Sequence, residues 1–187
     1  MKTNKLKLGA IAFVGALLIP MLSVSSSMAV TKAKAPDLNA DLLNIQKETQ
    51  AYNKNTAMTP FSITAKDYQK IVDNGNSILK SMLTAVNSYQ NDLTTLWPTL
   101  PDKETSSYPA KGVLKSYGVG MRDYIESQIA DLAMVQSCIP GKTKISTCIQ
   151  AHYPTVIVKE KTAIASLKAP YQAMSKWATK YHKTKVG

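Results

Sequence analysis

Residues 68–96 read YQKIVDNGNSILKSMLTAVNSYQNDLTTL. Tyr68, Ile71, Val72, Ile78, Leu79, Met82, Ala85, Val86, Tyr89, Leu93 and Leu96 fall on one face if the chain is helical, and they hold that phase for about eight turns. Thr64 and Asp67 just upstream have the hydroxyl-to-acid spacing of a capping box. Trp97-Pro98 closes the run, because proline cannot continue a helix freely. The weak point is Asp73-Asn74-Gly75-Asn76, where residues of low helix propensity cluster. The apolar phase passes through it unbroken, so a single long helix is predicted. Such a helix has one oily stripe to hide, and the rest of the chain must supply the cover.

The flanking segments supply it. Upstream, Leu38, Leu42, Ile45, Thr49 and Tyr52 recur at spacings of three and four, with Asp37 or Asn39 available as N-cap. Downstream, residues 98–112 form the longest connection, punctuated by Pro98, Pro101, Pro109 and Gly112. A third helix is predicted from about Val113 to Ser137, with Leu114, Tyr117, Met121, Tyr124, Ile125, Ile129, Leu132 and Val135 as its stripe. Gly118 and Gly120 either admit a close neighbour or mark a late start. A short helical turn, Ser146 to Tyr153, is expected to stop before Pro154, which then opens the last helix. There Ile157, Ile164, Tyr171 and Ala178 recur every seven residues, as do Leu167, Met174 and Tyr181. Pro170 should kink that helix or split it at Lys168-Ala169. No segment alternates as a strand does. The expected fold is all-α: an antiparallel four-helix bundle with a kinked last helix and one disulfide.

Residues 1–29 read as a cleaved secretory signal: Lys2, Lys5 and Lys7, then an uncharged apolar run from Leu8 to Leu22, then Ser27-Met28-Ala29 before the cut. This leaves residues 30–187 as a single helical-bundle domain, periplasmic or secreted, with no later stretch of membrane-spanning length. Cys138 and Cys148 are the only cysteines, with nine residues between them that include Pro140-Gly141. In an exported chain such a pair reads as a disulfide, and closing so short a loop contributes roughly 3 kcal/mol. Only His152 lies near enough to join the cysteines at a metal, so no metal site is expected.

The formal net charge is +11, of which the leader's three lysines hold three, leaving +8. Residues 30–140 are balanced, so the entire excess falls in residues 141–187, where nine lysines face Glu160 alone. That asymmetry points to an anionic surface or an acidic partner. Arg122 is the only arginine. Sequence-specific reading of nucleic acid, which relies on the guanidinium fork, is therefore not expected. Within the basic segment Lys168, Lys176, Trp177, Lys180 and Lys183 are the candidate anionic-partner site, an aromatic anchor ringed by cations.

Catalytic patterns are absent from the sequence: no Gly-x-Ser-x-Gly, no His-Glu-x-x-His and no phosphate-cradling glycine loop. Asp123, Glu126 and Asp131 are read as a solvated acidic face of the third helix. No catalytic residue and no cofactor are expected. The alternative is a haem- or small-ligand-binding bundle of cytochrome type. The Lys180-Tyr181-His182-Lys183 ending resembles the histidine-bearing last turn of the b-type bundle cytochromes over those four residues. The resemblance implies a methionine ligand in the first helix, and no methionine precedes Met58 there. Covalent haem attachment is excluded, since Cys148-Ile149-Gln150-Ala151-His152 is not Cys-x-x-Cys-His. The expected function is thus an exported, non-catalytic bundle. It would bind or help assemble an anionic envelope component or acidic protein partner through its basic C-terminal face.

Overall fold

The computed structural model describes residues 36–56, 64–141 and 144–181. The leader (1–29), Lys142, His182 and Lys183 lie outside the described residues. Four helices account for nearly all of the rest: α1 (Leu38–Thr56), α2 (Ala65–Leu96), α3 (Lys111–Cys138) and α4 (Ile145–Tyr181). They form an all-α, antiparallel bundle in which α1 lies along α2, α2 along α3 and α3 along α4. None of the described helices is long and apolar enough to cross a membrane.

The starts of α1 and α2 follow from local chemistry. Asp37 caps α1, its Oδ1 accepting from the N–H groups of Asn39 and Ala40, each at 3.1 Å. Its own N–H donates to Asp92 Oδ2 at 2.7 Å, which pins the start of α1 to the far end of α2. Thr64 and Asp67 form the expected capping box: Asp67 N–H donates to Thr64 Oγ1 at 3.3 Å and Thr64 N–H to Asp67 Oδ2 at 2.9 Å. Hydrogen bonds from Thr64 hold the Asp67 carboxyl below its ordinary range.

Helix α2 runs through Asp73–Asn76 without a break, and Gly75 there serves packing rather than a bend. A Cβ there would stand 2.7 Å from Leu132 Cδ1 and 3.3 Å from Asn55 Nδ2, so the missing side chain lets α1 and α3 close on α2. Gly120 does the same for α3 and α4 more tightly. Its Cβ would meet backbone, 2.9 Å from Leu167 Cα. Of the two expectations for these glycines, close approach is the one realised. Helix α3 starts at Lys111, before either Gly118 or Gly120.

The core is built from the expected stripes, including Leu38 and Ile45 of α1, Val72, Leu79, Met82 and Val86 of α2, Leu114, Met121 and Ile125 of α3, and Leu167 and Met174 of α4. Tyr52, Tyr89, Tyr117 and Tyr124 are buried among them. Tyr89 donates to the Leu114 carbonyl at 2.9 Å and meets Tyr117 edge to face, ring centroids 6.1 Å apart. Cys138, the last residue of α3, is bonded to Cys148 in the first turn of α4, with Cα atoms 5.6 Å apart.

Two sequence expectations need correction. The turn at Ser146–Tyr153 does not stop before Pro154; it is the beginning of α4, which continues through Pro154 and Pro170 to Tyr181. Each proline removes one backbone donor, at a cost of about 3 kcal/mol. The α3–α4 contact is the most extensive in the molecule and lies on both sides of Pro170, which is itself buried in it. Packing of that length outweighs the lost hydrogen bonds. The second correction concerns α3. Ile129, assigned to its stripe, is exposed, whereas Asp131, assigned to its solvated face, is 6 % exposed. Helix α3 packs against both α2 and α4, so its buried arc is wider than a single stripe.

Candidate functional site

The basic residues of α4 sort by helical angle. Glu160, Ala163, Leu167, Pro170, Met174, Trp177 and Ala178 form its buried side. At 100° per residue, Lys161, Lys168 and Lys176 fall within about 80° of one another, on the opposite side. All three are exposed. Among the described residues the ion pairs are Lys111–Asp102 and Lys180–Glu104, so no carboxylate neutralises this ridge at contact distance.

Trp177 and Lys180, assigned with them to the anionic-partner site, do something else. The indole is 6 % exposed and its Nε1–H donates to the Thr105 carbonyl at 2.6 Å. Trp177 therefore belongs to the inner face of α4, where it secures the long connection across the end of the bundle. It does not offer a solvent-facing anchor, because an i, i+3 step from the buried Met174 carries it inward. Lys180 pairs with Glu104 of the same connection, and the hydrogen bond to that carboxylate raises the ammonium pKa. Lys111 holds the other shoulder, 2.7 Å from Asp102 and 5.4 Å above the Trp97 ring, with Lys115 5.9 Å from the same ring. The connection is thus fastened at Asp102, Glu104 and Thr105.

The opposite end of the bundle holds polar groups that sequence reasoning missed. Tyr52 of α1, Tyr124, Gln128 and Asp131 of α3, and Glu160 of α4 are all buried. Burial raises the Asp131 carboxyl to about 7, with the Glu160 charge adding to the effect. Burial raises Glu160 as well, partly opposed by the Gln128 amide and by Lys161. The phenols of Tyr52 and Tyr124 are pushed up by burial and by the two carboxyls. Half-buried Tyr153 is raised to about 12 by the same causes.

A signal for this cluster was present in the sequence. The series Leu167–Met174–Tyr181 extends one heptad back to Glu160, and Tyr117–Tyr124 extends forward to Asp131 and Cys138. Leu114–Met121–Gln128–Val135 is a third series on the same face. Reading charge before phase placed Asp131 with Asp123 and Glu126, which are indeed exposed.

Of the histidines, His152 is exposed on α4. Met121 and Met174 are core residues and Met134 packs partly buried against them. Comparison with protein-family models, curated proteins and solved structures found no match, so function is read from the residues of this chain alone.

Proposed function

We propose that this is an exported, non-catalytic helical bundle whose outward α4 face engages an anionic envelope component or an acidic protein partner. The observation that carries the reading is the ridge of Lys161, Lys168 and Lys176, exposed and directed away from the bundle. Lys183, the remaining member of the expected set, lies outside the described residues. Trp177 and Lys180 drop out of the binding set, since both hold the 98–110 connection. What remains is a row of ammonium groups without an aromatic anchor. Such a row supports diffuse, salt-sensitive attraction and little shape-specific recognition. The net positive charge of the C-terminal quarter favours association with any polyanionic surface over a neutral one.

The test is co-sedimentation of the purified protein with phosphatidylglycerol vesicles and with phosphatidylcholine vesicles, at low and high salt. Binding to the anionic vesicles alone, lost in high salt, is the expected result. An acidic protein partner would instead give salt-sensitive capture from an envelope extract without vesicle binding. Neither form of association, or one indifferent to salt, would end this reading.

A further inference from the structure

The seam of α3 is built in pairs at heptad steps: Leu114/Tyr117, Met121/Tyr124, Gln128/Asp131 and Val135/Cys138. Only the third pair lacks an apolar or aromatic member. Opposite it, α4 contributes Glu160, the one charged residue on its buried side, and α1 contributes Tyr52. Tyr52 and Gln128 are 0 % exposed, Tyr124 and Glu160 1 %. Six oxygens of this layer have no hydrogen-bond partner: Tyr52 Oη, Tyr124 Oη, Gln128 Oε1, Asp131 Oδ1, and both of Glu160. Buried polar atoms are ordinarily paired, so six in one layer require an explanation. The other buried carboxylate, Asp41, is served differently, accepting from Ser88 Oγ at 2.9 Å.

Tyr52 senses Tyr124, Asp131 and Glu160, Tyr124 senses both acids, and Gln128 acts on Glu160. The close approach of Gly120 to Leu167 and the Cys138–Cys148 bond set Glu160 level with Gln128 across α3 and α4, and Gly75 between Leu132 and Asn55 sets Tyr52 near the same level. Water alone would satisfy hydrogen bonds, but would leave ionised Glu160 only the partial compensation of Lys161 and Asp131 only proton uptake. No lysine or arginine forms an ion pair with either acid among the described residues. A small cation answers both needs. The donor set is entirely oxygen, with two carboxyls, an amide carbonyl and phenols, and it holds no thiolate or imidazole. That is the preference of hard ions, and calcium tolerates such mixed and irregular oxygen sets best. With only two acids, the cluster falls short of three carboxylate, histidine or cysteine groups, so amide and phenol oxygens must complete the shell.

We propose that Tyr52, Tyr124, Gln128, Asp131 and Glu160 form a binding site for one hard metal cation of the calcium class, in the core of the bundle. The ion would join α1, α3 and α4, and so fasten the disulfide end of the molecule.

The test uses chelator-treated protein titrated with terbium, a luminescent stand-in for calcium, excited through the tyrosines. Sensitised emission should saturate at one ion per chain and be displaced by calcium chloride. Calcium should also raise the melting midpoint by several degrees. Asp131→Asn with Glu160→Gln should weaken ion binding at least tenfold, whereas Asp123→Asn with Glu126→Gln on the exposed face should leave it unchanged. If the core double variant does not fold, Tyr52→Phe with Tyr124→Phe keeps the rings and removes two oxygens. The calcium concentration giving half the melting shift should then rise severalfold. Absence of any calcium, magnesium or manganese effect on the parent protein would overturn the proposal. So would emission that survives in the folded core variant, or an unmoved half-point in the phenylalanine variant.

Discussion

The two ends of this bundle solve the same problem in opposite ways. At the end crossed by residues 98–110, polar groups find partners within the chain. Trp177 donates to Thr105, Tyr89 to Leu114, Lys180 meets Glu104 and Lys111 meets Asp102. At the disulfide end, Asp131, Glu160, Tyr52 and Tyr124 are buried together with oxygens left open. The difference shows where the fold is finished by its own side chains. The loop end is closed by direct hydrogen bonds, and the disulfide end by a covalent bond around a polar layer.

Substitutions at the two ends should therefore behave differently. The largest effect is expected for Trp177→Ala, which removes a buried indole and frees the connection. A loss of about 3–5 kcal/mol in denaturant unfolding is expected, with new protease cleavage between residues 98 and 110. Cleavage that stays unchanged would show that the loop is held without the tryptophan. Replacing Cys138 and Cys148 together by serine should cost roughly 3 kcal/mol. That loss should appear without loop cleavage, since the bond sits at the other end.

A third comparison uses pH. Burial raises the carboxyl of Asp131 to about 7, and raises Glu160 in the same direction. The folded protein then keeps protons that the unfolded chain releases near pH 4. In cation-free protein this layer is therefore least unfavourable below about pH 4. Stability falls as pH rises from about 4 through about 7, then levels off. The melting midpoint should drop by several degrees across that window, and Asp131→Asn should flatten the profile. A profile that the substitution leaves untouched would place the titration elsewhere.

The smallest effects separate two glycines. Gly120→Ala presses on the backbone of Leu167 and should cost about 1–3 kcal/mol. Gly75→Ala meets chiefly the far end of Leu132, which can rotate, and gains about 1 kcal/mol of helix propensity. Its net effect should be near zero. Equal losses at the two sites would contradict the tighter α3–α4 approach.

Much of the fold was legible in the sequence because it rests on local or periodic chemistry. The Thr64–Asp67 box, the unbroken phase across Gly75 and the Cys138–Cys148 pair all reappear in the structure. Proline was misread at Pro154 because its local cost is visible in one dimension, while the α3–α4 contact that overrides it is not. Trp177 was misread for a related reason: three nearby lysines drew attention to its outer neighbours, while its helical phase put it inside. Asp131 and Glu160 are legible in principle, since Tyr117–Tyr124 runs on to Asp131 and Tyr181–Met174–Leu167 runs back to Glu160 at heptad steps. The partner of Trp177 lies 72 residues away in the sequence, and no local pattern announces it.

The α4 ridge carries the functional claim, and vesicle binding can distinguish a patch from mere net charge. Lysine near an anionic membrane surface contributes about 1 kcal/mol. Replacing Lys161, Lys168 and Lys176 by glutamine should therefore lower partitioning onto phosphatidylglycerol vesicles on the order of a hundredfold at low salt. Replacing the exposed Lys47, Lys66 and Lys80 of α1 and α2 changes net charge equally. The account predicts that this control keeps most of its binding. Equal loss in the two triple variants, or no loss in the first, would contradict it.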